Sequence, residues 1–312
     1  LRTVNVHKEL IARLRPLIGL VVLSAAVALG SSRFLTTGNL LNVLRQTSIN
    51  AVIATGMTFV ILTGGIDLSV GSVLAYAGVI MAALLATQLP LIVSIALVLL
   101  LGAAIGAVTG LVITKGKVQP FIATFVSLTI LRGATLVFTD GKPIDAGSEA
   151  FAVLGQGYEL GIPVPIYIMA AVVGLAYYIL GHTRFGRYVY AIGGNEEAAR
   201  LSGLRTGLIK IAVYAVSGLV AALAGILLTS RLSSAQPTAG AGYELDAIAA
   251  VVVGGTSLSG GSGRITGTLV GALIIGILNN ALNLTNVSSY YQMIAKGAII
   301  LIAVLLDRKT DS

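Results

Sequence analysis

Asn279, Asn280 and Asn283 sit close together in a run that is otherwise apolar. Positions 279 and 283 are one helical turn apart and share a face. The next apolar run opens with Tyr290, Tyr291 and Gln292, and Lys296 follows one turn after Gln292. Amides and aromatic faces bind and release hydroxyl-bearing solutes without making covalent bonds. Asn279, Asn280, Asn283, Tyr291 and Gln292 are therefore candidates for the lining of a solute path. The same groups can also hydrogen-bond one helix to another, and the residues alone leave both roles open. Arg132 lies within an apolar run too, with Glu244 or Asp246 as candidate partners. Lys296 has no partner identifiable in the sequence.

Other chemistry is poorly provided for. The chain has no Cys, which excludes disulfides, thiol chemistry and Cys-containing zinc sites. Its two histidines, His7 and His182, are far apart and make no convincing metal site. No nucleophile–base constellation stands out, so no catalytic residue is assigned. The segment Gly254 to Gly263, GGTSLSGGSG, resembles a phosphate cradle only in its glycines. A P-loop needs a Lys after the second Gly and a strand before it, and neither is present. This chain is thus expected to bind no cofactor. Gly64-Gly65-x-x-Leu68-Ser69-x-Gly71-Ser72 recurs as Gly254-Gly255-x-x-Leu258-Ser259-x-Gly261-Ser262, and shared turn chemistry is enough to explain the match.

Asn195-Glu196-Glu197-Ala198-Ala199-Arg200-Leu201-Ser202-Gly203 specifies a two-turn helix. Asn195 suits the N-cap, Glu196 and Glu197 fall in the first turn where the dipole favours anions, and Gly203 suits the left-handed position after the last turn. So short a helix is not stable alone. It reads either as a solvated connection or as an element that meets a partner surface.

These groups must be positioned by membrane helices. Charged residues make up 10% of the chain and hydrophobic ones 56%, with a mean hydropathy of +0.96. Leu68 to Thr114 carries no charge at all. A buried ion in a bilayer costs several kcal/mol, and about 20 apolar residues span the hydrocarbon. The fold class expected is an all-α polytopic membrane protein, one transmembrane domain over 1–312. Ten apolar segments are legible: 16–31, 47–63, 70–88, 91–114, 119–138, 163–181, 208–229, 243–257, 265–284 and 289–307. Leu17 to Gly30 shows no clear cleavage site for a signal peptide.

An even count puts both termini on one side, and the positive-inside rule makes that side cytoplasmic. The inside then holds Arg2, Lys8, Arg13, Arg15, Lys115, Lys117, Arg184, Arg187, Arg200, Arg205, Lys210, Arg264, Arg308 and Lys309, most of the 20 basic residues. Arg33, Arg45, Lys142 and Arg231 fall outside or at the outer edge. The loop 182–207 becomes cytoplasmic and the acidic loop 139–162 periplasmic. This topology accounts for the net charge of +8 without nucleic acid.

Motifs then add a family. Glu197-Ala198-Ala199 followed by Gly203 is similar to the EAA---G pattern of permease subunits of ATP-binding-cassette importers, without that pattern's downstream Pro, since the next one is Pro237. Gly64 to Ser72, GGIDLSVGS, resembles a segment of the pentose and hexose permeases. So do Arg187 to Asn195, Ser233 to Pro237 with Tyr243 to Asp246, and Ser288 to Gln292. The likeness covers nearly the whole chain and is greatest to the membrane subunits of bacterial ribose importers. The resemblance implies a multi-pass protein of the bacterial inner membrane, in contact with lipid, that moves a monosaccharide by alternating access. It implies a homodimer with a second permease copy, a periplasmic sugar-binding protein, and a cytoplasmic ATP-binding subunit that uses ATP and Mg on a separate chain. Asn195, Glu196, Glu197, Ala198, Ala199, Arg200, Leu201 and Gly203 would form the coupling helix.

An ion-coupled secondary transporter of a small polar solute is the alternative. It requires carboxylates or His at mid-bilayer. Asp67 and Asp307 are expected near the inner edge, and Glu244 and Asp246 near the outer one. The orientation is testable because the chain is free of Cys. Ser148→Cys should be labelled in intact cells by an impermeant thiol reagent, and Ser202→Cys should not; the reverse pattern inverts the topology.

Overall fold

The computed structural model describes residues 2–308, with side chains for 16–288, 290–298 and 301. Of the groups named above, Arg2, His7, Lys8, Arg13, Arg15, Asp307, Arg308 and Lys309 lie outside those described side chains. The helices are α1 (Arg2–Gly30), α2 (Thr37–Leu62), α3 (Val70–Ala86), α4 (Leu91–Thr114), α5 (Pro120–Thr139), α6 (Glu149–Gln156), α7 (Val164–His182), α8 (Arg184–Gly194), α9 (Glu196–Leu201), α10 (Thr206–Leu232), α11 (Tyr243–Val253), α12 (Ile265–Leu284) and α13 (Ser289–Arg308). Two-residue strands β1 (Ile144–Asp145), β2 (Tyr158–Glu159), β3 (Ile162–Pro163) and β4 (Ser234–Ala235) complete it.

Close backbone approach organises the bundle. Gly102, Gly106 and Gly110 form a stripe on α4, four residues apart, and meet Gly218, Tyr214 and Ile211 of α10. A Cβ at Gly106 would run into the carbonyl of Tyr214. On its other sides α10 presents Gly225 to the Leu74 carbonyl of α3, and Gly56 of α2 sits against Ser217 and Val220. Small residues at such seams let helix axes approach without a hydrophobic driving force in lipid. The central helix α2 is buried without interruption from Thr47 to Leu62. With no lipid face it tolerates Thr55 and Thr58, whose hydroxyls donate back to the Ala51 and Ala54 carbonyls.

Five described helices are long and apolar enough to cross a membrane: α4, α5, α7, α10 and α12. The ten segments read from the sequence each fall on a helix, with two informative differences. Helix α2 begins ten residues before the expected start at 47, because Asn39 pairs with Asn280 of α12 and the polar turns pack instead of fraying. Helix α11 ends at Val253, not 257, and has 11 residues. At 1.5 Å per residue it falls well short of the ~30 Å of hydrocarbon. The loop before it runs inward: Gly240 and Gly242 have positive φ, and the Gly240 backbone packs on Gly71 at the start of α3.

The loop 139–162 is more structured than a simple connection. Strand β1 pairs antiparallel with β4, Ile144 opposite Ala235. β2 and β3 form a hairpin across Leu160 and Gly161, both at positive φ as a two-residue turn of this kind requires. α6, started by Ser148 and Glu149, lies on α10, where the Gly155 N–H donates to Ser230 Oγ at 2.8 Å.

The α4–α10 seam predicts a contrast. Gly106→Val should lower the stability of the solubilised protein by about 1–3 kcal/mol or prevent insertion. Gly133→Val, where a Cβ meets nothing within 4 Å, should stay within about 0.5 kcal/mol. Thermal denaturation in detergent measures both.

Candidate functional site

The element expected at 195–203 forms as read. Asn195 Oδ1 accepts the Ala198 N–H at 2.9 Å, and α9 spans Glu196–Leu201. Gly203 takes φ +86°, and the Leu204 N–H returns to the Ala199 carbonyl at 3.1 Å, closing a Schellman motif. Glu197 pairs with Arg200 within the helix, at 2.7 Å. Lys210 near the start of α10 holds Glu196, and Ala199 is the one buried side chain of α9. These tethers supply what a two-turn helix lacks on its own. The outer face stays uncovered: Leu201 is 79% exposed. A cavity of about 470 Å³ lies between α9, the end of α4 and the start of α10, and carries Glu196, Glu197, Arg200 and Lys210.

Helix α8, which precedes α9, is missing from the sequence reading. Thr183 caps it, accepting the Gly186 N–H at 3.2 Å. Its buried face, Gly186, Val189 and Ile192, packs against the bundle end. The signal was present in the spacing of Phe185, Val189 and Ile192, but Arg184 and Arg187 interleave with them and the stretch reads as a charged loop. Tyr190 of α8 donates its hydroxyl to the Gly263 carbonyl at 2.9 Å. Burial pushes that phenol above its ordinary pKa, against the pull of Arg264, so it remains a donor.

The two glycine-pair motifs meet in space. The Gly261 N–H donates to the Leu62 carbonyl at 3.0 Å, and Gly64 lies beside Ser259 and Gly260. In the first motif Asp67 turns inward. It accepts from the Ser69 N–H (3.0 Å), from Ser69 Oγ (2.6 Å), and from Ser217 Oγ at 2.7 Å. Ser217 lies near the middle of α10, so Asp67 sits inside the bundle and not at its edge as expected. The unwound segment between α2 and α3 carries it there, and Thr124 of α5 donates to the Ile66 carbonyl on the way.

The polar groups of α12 and α13 occupy the opposite end of α12 from this junction. They divide by environment. Asn280 and Asn39 exchange amide hydrogen bonds at 2.9 and 3.1 Å, which is helix-to-helix adhesion. Gln292 donates to Asn283 Oδ1 at 2.8 Å, joining α12 to α13. Asn279 shares its helical face with Asn283 but is 7% exposed, and its Oδ1 has no partner among the described residues. Tyr290 and Tyr291 are exposed. Among these five the structure shows one direct hydrogen bond, from Gln292 to Asn283.

It also gathers a set the sequence left apart. Lys296 Nζ of α13 contacts Asp246 Oδ2 of α11 at 2.9 Å, and Asn50 of α2 reaches the same oxygen at 3.5 Å. Asp246 is 5% exposed, and Asn50 Oδ1 is buried without a partner among the described residues. Lys296 thus has the partner that its sequence neighbours could not reveal. Arg132 forms no direct ion pair with Glu244 or Asp246 among the described residues. Likewise no group of three His, Asp or Glu able to hold a metal ion occurs among them.

The family model for the permease component of the branched-chain amino acid transport system matches residues 39–304, and the chain belongs to that family. It is 60% identical to the ribose import permease protein of Haemophilus influenzae, over 94% of this chain and 92% of that one. Identity is 58% to the ribose import permease protein of Escherichia coli K12 (95% and 93% covered) and 54% to that of Bacillus subtilis (96% and 94% covered). The L-arabinose transport system permease protein of E. coli K12 is 41% identical over 94% of this chain and 89% of its own length. No solved structure matches. The chain is a multi-pass, non-catalytic membrane subunit of an ATP-binding-cassette importer.

The α11–α13 pair makes a prediction. Lys296→Met leaves Asp246 buried and unpaired and should cost about 3 kcal/mol. Adding Asp246→Asn should recover most of that loss. Thermal unfolding of both variants tests it; wild-type midpoints for the single and the double variant would show the pair to be energetically idle.

Proposed function

We propose that this chain is the membrane-spanning subunit of an ATP-driven importer of a monosaccharide, namely ribose. The names of the relatives at 54–60% identity support that sugar. In this reading two copies form the translocating dimer in the bacterial inner membrane, with ten segments per copy crossing or entering the bilayer and both termini cytoplasmic. A periplasmic binding protein delivers the sugar. ATP and Mg are handled by a separate cytoplasmic ATPase chain, and this chain holds neither.

The observation that carries the reading is α9. A capped two-turn helix, tethered by Lys210 and exposing Leu201, Glu197 and Arg200, is a surface with an apolar contact and two charges and no cover of its own. It suits the groove of a partner domain. Movement of that partner on nucleotide binding would be passed through α9 to the bundle and shift it between outward- and inward-facing arrangements. Along the path, Asn279 offers a buried amide oxygen in want of a donor, which a sugar hydroxyl supplies. Asn280, Asn283 and Gln292 would take part only by exchanging their present partners, and Tyr291 by offering its exposed ring.

The ion-coupled alternative draws on Asp67 and Asp246, which lie inside the bundle. Both are engaged already, Asp246 by Lys296 and Asp67 by Ser69 and Ser217, and neither offers a free carboxylate for a driving ion.

Glu197→Lys puts a cation into the first turn of α9, unfavourable by about 0.3–1 kcal/mol, and reverses the charge shown to a partner. Gly203→Val forces a β-branched residue to positive φ. The double variant should insert normally yet lose ATPase co-purification or binding-protein-stimulated ATP hydrolysis in proteoliposomes. Wild-type values for both would rule out α9 as the coupling helix.

A further inference from the structure

Three separate stretches of glycine converge where α8 ends. Gly193 stands so close to the last turn of α2 that a Cβ there would strike the Leu62 carbonyl and the Gly261 backbone. A Cβ on Gly260 would lie 2.9 Å from Gly64 N and 3.1 Å from Gly193 O, and one on Gly261 would lie 2.8 Å from Gly194 N. Gly64, Gly260 and Gly261 all have positive φ, where only glycine is free of strain. The Gly261 N–H closes the junction on Leu62 O, and Tyr190 closes it on Gly263 O. No side chain cushions these contacts, so displacement of α8 passes to both turns without being absorbed by rotamer changes.

Each turn leads to one of the buried carboxylates. From Gly64 and Gly65 the chain runs through Asp67, bonded to Ser217 of α10, into α3. From Gly254 it runs back through α11 to Asp246, which holds Lys296 of α13. The start of α3 also touches the loop that leads into α11, through Gly71 and Gly240. At this junction α8 lies against the last residue of α2, Leu62, and against Gly261 of the 254–264 turn, and that turn in turn lies against the 63–69 segment through Gly260 and Gly64.

We propose that Gly193, Gly260 and Gly261 are positioning residues for coupling. They form a side-chain-free contact through which motion of α8 and α9 reaches the 63–69 and 254–264 turns and, through them, the interior of the bundle. The proposal rests on α9 being the coupling helix and adds the route inward from it.

The two neighbouring glycines of α8 provide the test. A Cβ at Gly194 meets nothing within 4 Å, so Gly193→Ala and Gly194→Ala make the same chemical change at the same helix end and differ only in the junction. Each is reconstituted with the ATPase and the binding protein, and ribose moved per ATP hydrolysed is measured. Gly194→Ala should match wild type. Gly193→Ala should bind the ATPase normally but move roughly fivefold less ribose per ATP, or worse. An unchanged ratio in Gly193→Ala overturns the proposal, as does an equal fall in both variants. If Gly193→Ala is not recovered as a complex, Tyr190→Phe decides. It keeps the ring and loses the bond to Gly263, and a fall of roughly two- to tenfold supports the junction, whereas a wild-type ratio overturns it. Should the Glu197→Lys/Gly203→Val variant itself remain coupled, the underlying reading of α9 has failed and the junction with it. If that variant uncouples and the junction variants do not, the junction alone is wrong.

Discussion

The structure depends on how closely α10 can be approached. In lipid there is no gain from moving apolar side chains from one hydrocarbon surrounding to another, so helices associate by packing and by polar contacts. At α10 the packing is backbone on backbone: Gly102 and Gly218 face each other, Gly106 faces the Tyr214 carbonyl, and Gly225 faces the Leu74 carbonyl. Helices α4, α2 and α3 are placed by those seams. Helix α2 becomes the buried centre as a consequence and can carry Thr47, Asn50, Thr55 and Thr58.

A second set of contacts gives the bundle direction. Hydrogen bonds and ion pairs act over short distances and between particular atoms, unlike dispersion. Asp67 ties the unwound segment after α2 to Ser217 of α10. Lys296 ties α13 to the first turn of α11, and Asn39 ties the start of α2 to α12. Each joins elements distant in sequence, and each is costly to break without a replacement partner. Such contacts favour a small number of discrete arrangements over continuous deformation.

The end of the bundle bearing α8 and α9 differs in character. Its surface helix is held by a cap, a Schellman closure and the Lys210 tether, while its outer side is left open. Behind it the contacts are glycine on glycine. Compliance is therefore low between α8 and the two turns and greater at the exposed face, where Leu201 and the Glu197–Arg200 pair have room to move.

Much of this was legible in the residues because it is governed by local chemistry. Ten apolar runs fall on helices, since hydropathy and helix length are properties of contiguous sequence. The α9 element was readable down to its cap and its left-handed glycine, because capping depends on residues within one turn of each other. Helix α8 was obscured by Arg184 and Arg187, whose charges mask an apolar face only a few residues long. The repeated glycine pairs were visible as a pattern, yet nothing local says that Gly64 and Gly260 touch. The partner of Lys296, the depth of Asp67 and the shortness of α11 as a span belong to the same class. Each depends on which distant backbone comes within a few ångströms, and that was decided by the packing of α2, α3 and α4 around α10, where excluded volume and not local propensity sets the outcome.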